Sequence, residues 1–158
     1  MGIKKISSVS WIIGAIIVVV AVFAGVTATS LIQPAGAVEI TVYKSPSCGC
    51  CSSWVDHMRA NGYSMKTVEI DDLEKIKKMA GVPDHLQSCH TAFVGEYVLE
   101  GHVPAADVAR LLAEGPVAIG LAVGGMPSGA PGMEDGDVEP FDVTLFRAIG
   151  PDSVYRKY

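Results

Sequence analysis

The sequence is poor in aromatic and charged side chains: 7% of its 158 residues are aromatic and 18% are charged, and residues 6–38 contain no charged side chain. Because 49% of the residues are hydrophobic, the composition excludes a disordered chain. With 17 glycines, 9 prolines and no internal repeat, it also excludes collagen-like and coiled-coil classes. One small globular domain, preceded by an uncharged N-terminal stretch, is the expected organisation.

The uncharged stretch has the layout of an export signal. Lys4 and Lys5 precede the apolar run WIIGAIIVVVAVFAGVTA at residues 11–28, and Ala35-Gly36-Ala37 supplies the small residues that signal peptidase reads. We expect cleavage after Ala37, so that residues 1–37 are a signal peptide and residues 38–158 the exported domain. Because the run approaches the roughly 20 apolar residues that cross a bilayer, an uncleaved membrane anchor at residues 11–28 is the alternative. Both place the domain in a periplasm or its equivalent.

The exported domain is acidic. Its 121 residues carry 10 basic and 17 acidic side chains, a formal charge of −7. Nucleic acid is therefore not expected as a partner, because binding the phosphate backbone requires a basic surface.

Periodic patterns over residues 38–115 predict strands and helices in the order β-α-β-α-β-β-α. The predicted strands are 38–43, 65–70, 91–94 and 97–99, and the predicted helices run from Cys50 to Asn61-Gly62, from Leu73 to Gly81 after an N-cap at Asp71, and from Pro104 to Gly115. With cysteines at the first strand-to-helix junction, this order is the thioredoxin-like arrangement. It predicts an α/β fold with a mixed four-stranded sheet and flanking helices.

Beyond Pro116 the sequence becomes rich in glycine, proline and methionine. The stretch GLAVGGMPSGAPGMEDGD at residues 120–137 has too few periodic apolar positions for a helix or an ordinary strand, so it is predicted to be an ordered loop. FDVTLF at residues 141–146 is β-rich and is predicted to return as an edge strand. The domain is thus expected to carry a Gly/Pro/Met-rich C-terminal extension.

The four cysteines lie in two places, at Cys48-Gly49-Cys50-Cys51 and at Cys89. Cys48 and Cys51 form a C-x-x-C motif at a predicted helix N-terminus, where free N–H groups favour thiolates. Cys50 is not needed by a dithiol oxidoreductase, which uses one attacking and one resolving sulfur. The element order resembles that of thioredoxin-like domains, in which the loop before the third strand lies against this helix end, and this resemblance implies that Cys89 lies at the cluster.

Four thiolates suit Cu(I) or zinc, and the methionines and a non-reducing compartment favour Cu(I). Two other uses stay open. The first is a thiol-disulfide oxidoreductase in which Cys48 attacks and Cys51 resolves, and these two would then be the catalytic residues. The second is structural disulfides, for which four cysteines allow three full pairings, one including Cys51 to Cys89.

Three segments of the exported domain are distinctive: YKSPSCGCCSSWVDHM, GVPDHLQSCHTAFVGEYVLEGHVPAADVARLL and GGMPSGAPGME. They resemble the CopG-type periplasmic copper proteins, a thioredoxin-like metal-binding family associated with copper resistance. The resemblance spans nearly all of residues 38–146 and implies copper binding by Cys48, Cys50, Cys51 and Cys89, together with a redox role. It also implies copper ions and other periplasmic copper-handling proteins as partners. Thioredoxins place a cis-proline where this chain has Cys89-His90-Thr91, which disfavours ordinary disulfide exchange.

His102 and Met126 complete the predicted metal set. His102, in the segment EGHVP, is a candidate ligand or proton shuttle, with a helix cap as the alternative. Met126 offers a soft thioether, with packing as the alternative. Side chains of neighbouring strand residues point to opposite faces, so His90 and Cys89 reach one metal only where the loop is irregular. The remaining expectations are that Met133 behaves like Met126, that His57 packs with Trp54, that His85 lies at the surface, and that Met58, Met65 and Met79 lie in the core.

The function expected from these observations is an exported copper-binding protein. It would sequester, transfer or redox-cycle copper through the cysteine cluster. A periplasmic thiol-disulfide oxidoreductase is the alternative, and a disulfide-stapled binding module is a third class.

Overall fold

A computed structural model describes residues 37–158 of the chain. The export signal and the alternative membrane anchor fall on residues 1–36 and therefore lie outside the described residues. Within residues 37–158, no helix is long and apolar enough to cross a membrane.

Three α-helices and seven strands make up the described part of the chain. The strands are β1 (Glu39–Lys44), β2 (Ser64–Glu69), β3 (His90–Val94), β4 (Tyr97–Glu100), β5 (Gly120–Ala122), β6 (Asp142–Phe146) and β7 (Ser153–Lys157). The helices are α1 (Gly49–Ala60), α2 (Leu73–Met79) and α3 (Ala105–Glu114), with one 3-10 turn at Asp84–Leu86. The predicted α/β class is confirmed, and every predicted element up to α3 is present with its ends within two residues of the prediction.

The strands form one mixed sheet in the order β2-β1-β3-β4-β5-β6-β7. β1 pairs with β2, and β4 with β5, in parallel, and the other neighbours are antiparallel. Lys44 at the end of β1 pairs with His90 at the start of β3, and Thr91 pairs with Glu100 at the end of β4. Because of this register, the chain leaving β1 toward Cys48 lies at the same end of the sheet as Cys89.

The predicted four-stranded sheet is wrong in its strand count, because the C-terminal extension adds three strands. β5 lies within the stretch predicted to be a loop; it is only three residues long, but all three are buried and it pairs with β4 and β6. At Gly120 a Cβ would collide with the Val98 backbone, so only glycine fits between the strands. β6 is present as predicted but is not an edge strand, because β7 pairs with its outer side.

Helix α2 departs from its predicted packing. Met79, expected in the core, is 84% exposed, whereas Lys77 is buried. The reason is that Lys77 makes an ion pair with buried Glu100, so the inward face of this helix includes a charge that apolar periodicity does not register. Met58 is buried as expected, and Met65 is partly buried against the main core.

That main core is built from apolar side chains of the sheet, α1 and α3. Trp54 of α1 is fully buried in it, and its indole N–H donates to the Val103 carbonyl at 2.9 Å. This contact ties α1 to the segment between β4 and α3. The N-terminal half of α1 therefore lies beside the residues that follow Glu100.

Candidate metal centre

The C-x-x-C motif lies at the start of α1, as predicted. Cys48 is the N-cap residue, and its Sγ accepts a hydrogen bond from the Cys51 backbone N–H at 3.3 Å. Cys48 and Cys51 are joined by a disulfide with their Cα atoms 5.4 Å apart. Of the pairings the sequence allows, the structure thus contains the one within the motif rather than Cys51 to Cys89.

Cys50 and Cys89 are free thiols, and both are half-buried. Cys50 Sγ lies 3.6 Å from Cys48 Sγ, and Cys51 Sγ lies 3.7 Å from the Cys89 carbonyl oxygen. The sulfurs of all four cysteines are within 4.8 Å of one another. The fold therefore brings the distant cysteine to the cluster, and reduction of the disulfide would present four thiols in one group.

His102 is fully buried and directed at this group. Its Nε2 lies 3.0 Å from Cys89 Sγ, and its Nδ1 lies 2.7 Å from the Pro131 carbonyl oxygen. A carbonyl oxygen only accepts, so Nδ1 carries the proton and the Nε2 lone pair faces the sulfur. Burial lowers the pKa of His102, which keeps the ring neutral. A neutral imidazole with a free Nε2 is the form that ligates a metal.

His90 also reaches Cys89. Its Nδ1 lies 3.3 Å from Cys89 Sγ, because Cys89 precedes β3 in a bend and the alternation of strand side chains does not yet apply. The ring is buried against Trp54, with centroids 4.4 Å apart, and its Nε2 has no hydrogen-bond partner among residues 37–158. Burial lowers the pKa of His90 well below its ordinary value, so this imidazole is neutral as well.

The surroundings of Cys89 strongly perturb its thiol. Burial, followed by the neighbouring charge of Cys50, raises its pKa to about 12. Cys89 is therefore protonated at neutral pH, and a metal ion that binds its sulfur must displace that proton.

The Gly/Pro/Met-rich loop covers the start of α1. A Cβ on Gly132 would lie 2.7 Å from the Trp54 nitrogen and 2.8 Å from the Cys50 oxygen, so the loop backbone rests directly on the helix. Pro131 in the same loop supplies the carbonyl that orients His102. The loop predicted from composition is thus ordered, and it forms part of the candidate site.

Met126 lies on the same loop but is half-exposed, with 51% of its surface accessible. The preceding residue, Gly125, donates to the Gln87 carbonyl at 3.0 Å and accepts a hydrogen bond from the Ser88 hydroxyl. The Met126 backbone therefore runs beside the Cys89 segment. Met133 is half-buried, and a ligand role for either methionine stays a prediction.

The remaining histidines lie outside the sulfur group. His57 Nε2 accepts a hydrogen bond from the Ala105 backbone N–H at 3.1 Å, so His57 caps α3, a role that its sequence position does not reveal. His102, for which a cap was the alternative, makes no capping bond to α3. His85 is at the surface as predicted, 3.3 Å from Asp152.

This geometry defines a class: an α/β domain with a cysteine and histidine cluster of the kind that holds a soft metal ion. Residues 86–133 match the family described as "Protein of unknown function, DUF411". No curated protein sequence matches the chain.

Two solved structures, named "Copper resistance protein copG- Form 2" and "Copper resistance protein copG- Form 1", are each 39% identical to this chain. Their TM-scores are 0.74 and 0.73, and each match covers 77% of this chain and 98% of the solved chain. The chain therefore belongs to the copper resistance protein CopG family.

Proposed function

We propose that this protein is an exported copper-binding protein that sequesters, transfers or redox-cycles copper. The observation that carries the proposal is the gathering of four cysteine sulfurs within 4.8 Å of one another, with the Nε2 lone pair of His102 3.0 Å from one of them. The name of the two similar solved structures supports copper as the ion. The apolar run at residues 11–28 supports a periplasmic location.

The donor set suits Cu(I) when the cysteines are reduced. Thiolates and thioethers are soft ligands, and a neutral imidazole adds a nitrogen donor. Zinc accepts the same thiolates and nitrogen, so it is the second candidate ion. Cys48, Cys50, Cys51 and Cys89 are the proposed core ligands, with His102 and Met126 as outer members of the set.

The disulfide supplies the redox part of the proposal. When the Cys48 and Cys51 thiols close to a disulfide, they release two electrons and two protons, which balances the reduction of two Cu(II) ions to Cu(I). Cys50 and Cys89 remain as thiols through this step. The oxidised form thus retains two sulfurs and His102, so the two redox states offer copper different ligand sets.

A thiol-disulfide oxidoreductase is the second candidate. One observation favours it: the disulfide joins a half-buried Cys48 to a fully buried Cys51, the asymmetry expected of an attacking and a resolving sulfur. Reduction of insulin by the reduced protein measures this activity. We expect a rate close to that of free dithiol, because the resemblance to thioredoxins puts Cys89 and His90 where those proteins have the cis-proline beside a docked substrate disulfide.

An anaerobic Cu(I) titration of the reduced protein against a competing chelator tests copper binding. We expect tight binding that weakens about 100-fold or more in Cys48→Ser and in Cys89→Ser, because each removes a thiolate from the group. Met79→Ala is the matched control, since Met79 is an exposed soft side chain on α2. Unchanged affinity in both serine variants would contradict the proposal and leave the oxidoreductase as the leading function.

A further inference from the structure

A buried ion pair lies beside the segment that carries Cys89. Glu100 is fully buried and Lys77 is 4% exposed, and the Lys77 ammonium contacts Glu100 Oε1. Two charges lose their hydration on burial, and apolar side chains of similar volume often stabilise a fold as well or better. Stability alone therefore does not account for this pair.

The Glu100 carboxylate contacts residues on both sides of Cys89 and His90. Its Oε1 accepts a hydrogen bond from the Ser88 backbone N–H at 2.7 Å, and its Oε2 accepts one from Thr91 Oγ1 at 2.6 Å. Lys77 Nζ also donates to Thr91 Oγ1 at 3.2 Å. A single charged group thus fixes both ends of the segment from Ser88 to Thr91.

The two residues after Glu100 hold the same segment. The Gly101 N–H donates to the His90 carbonyl at 3.0 Å, and a Cβ on Gly101 would lie 2.5 Å from Ser88 Oγ. His102 follows, with Nε2 at 3.0 Å from Cys89 Sγ. Three consecutive residues therefore contact the Cys89 segment through a carboxylate, a backbone amide and an imidazole.

We propose that Glu100, held by Lys77, is a positioning residue that sets where Cys89 Sγ lies relative to His102 and the other three sulfurs. The proposal rests on the copper-binding function only for the ligand role of Cys89. The placement of the sulfur itself does not involve a metal, so it can be measured without one.

The copper-free test uses the oxidised Cys50→Ser protein. Cys89 is then the single thiol, because the chain has four cysteines and two are joined in the disulfide. In this background Glu100→Leu with Lys77→Met replaces the ion pair by apolar side chains. We expect alkylation of Cys89 by iodoacetamide to accelerate about tenfold, because a released segment exposes the sulfur. Glu100→Gln with Lys77→Met keeps an oxygen acceptor and is expected to restore a rate within about threefold of the parent.

Two further variants distinguish a specific effect on the position of Cys89 from a general destabilisation of the fold. Asp107→Asn alters another fully buried carboxylate, which bonds to Tyr158 and Arg156 instead of the Cys89 segment, and we expect it to leave the alkylation rate unchanged. Thr91→Val removes one hydrogen bond to Glu100 and is expected to accelerate alkylation about twofold. If the double variant does not fold, Thr91→Val tests the proposal in its place. Parental rates in Thr91→Val and the double variant, or equal acceleration in Asp107→Asn, would overturn the proposal.

The copper test uses the reduced protein with all four cysteines. We expect Glu100→Leu with Lys77→Met to weaken Cu(I) binding about tenfold. Combined with Cys89→Ser, the same pair should cause no further loss of Cu(I) affinity, because both changes act through the same sulfur. Parental Cu(I) affinity in the double variant would overturn the positioning role. Absence of Cu(I) binding by the parent would defeat the proposed function instead, and the alkylation rates would still decide whether Glu100 positions Cys89.

Discussion

Residues 37–104 and residues 105–158 contribute to the candidate site in different ways. The first part contains all four cysteines and both histidines that contact Cys89. The second part has no cysteine or histidine, but its Pro131 carbonyl orients His102 and its Gly132 rests on α1. Donor atoms and their orientation therefore come from separate parts of the chain, and substitutions can test the two contributions independently.

The largest effect on the covering loop is expected from Gly132→Ala. Its φ of +83° is unfavourable for alanine, and its Cβ would lie under 3 Å from the backbone of α1, so the loop must lift or the helix must shift. We expect a loss of about 3 kcal/mol in the free energy of unfolding, measured with denaturant. Gly125→Ala is the control, because its φ is also positive but it has open space around it, and we expect a loss of about 1 kcal/mol. Equal losses in the two variants would show that the close contact of residue 132 with α1 does not contribute to stability.

Substituting His102 and His57 one at a time distinguishes a metal ligand from a helix cap. His102→Gln is expected to weaken Cu(I) binding about tenfold, because it removes the nitrogen lone pair facing Cys89. His57→Leu is expected to leave Cu(I) affinity unchanged and to cost about 1 kcal/mol of stability, because the first N–H of α3 loses its acceptor. Chelator competition and denaturant unfolding of both variants measure the two effects. The reverse pattern would assign the ligand role to His57.

High pH is expected to weaken the contacts that β7 and the residue after it make with α3. Burial and the hydrogen bond to Asp107 raise the pKa of Tyr158 to about 12, and burial and Glu114 raise that of Tyr155 to about 12. Because the folded pKa exceeds the unfolded value near 10, this stabilisation is present below pH 10 and is lost as the pH rises through about 12. Tyrosinate absorbance should show both late ionisations.

Tyr158→Phe tests this assignment. We expect it to remove one of the two late ionisations and to cost about 0.5 kcal/mol at neutral pH, since the side chain is partly exposed. Loss of an ordinary tyrosine ionisation near pH 10 instead would contradict it.

The smallest effect is expected at Met126. Met126→Ala should weaken Cu(I) binding about twofold, because its half-exposed thioether is a weak soft donor beside the Cys89 segment. Met79→Ala on α2 is the control for loss of a methionine. Identical affinities in the two variants would remove Met126 from the ligand set.

Much of the fold through α3 could be predicted from local patterns, because each element there has a clear period and a recognisable end. Gly115, for example, ends α3 in the left-handed conformation that glycine adopts without strain. β5 and β7 could not be predicted this way. Three buried residues make β5 a strand only because β4 and β6 pair with it, and those partners come from different parts of the chain.

The site divides similarly. The cluster of Cys48, Cys50 and Cys51 is visible as a motif, and His102 could be proposed from its segment. The buried contact of Lys77 with Glu100 could not be predicted, because a lysine on a short helix is expected to be solvated. The role of the Pro131 carbonyl is equally hidden, since backbone atoms carry no sequence signal.

Local sequence patterns specify the types of donor atom, the grouping of three cysteines at one helix end and the order of the elements up to α3. Which atoms meet depends on the packing of distant segments, which places Cys89 against the motif cysteines, His102 against Cys89, and Glu100 against the residues that flank Cys89. The physical reason is that residue chemistry and periodicity are local properties. Distances between donors depend instead on strand register and on loop contacts between residues distant in the chain, such as His102 and Pro131.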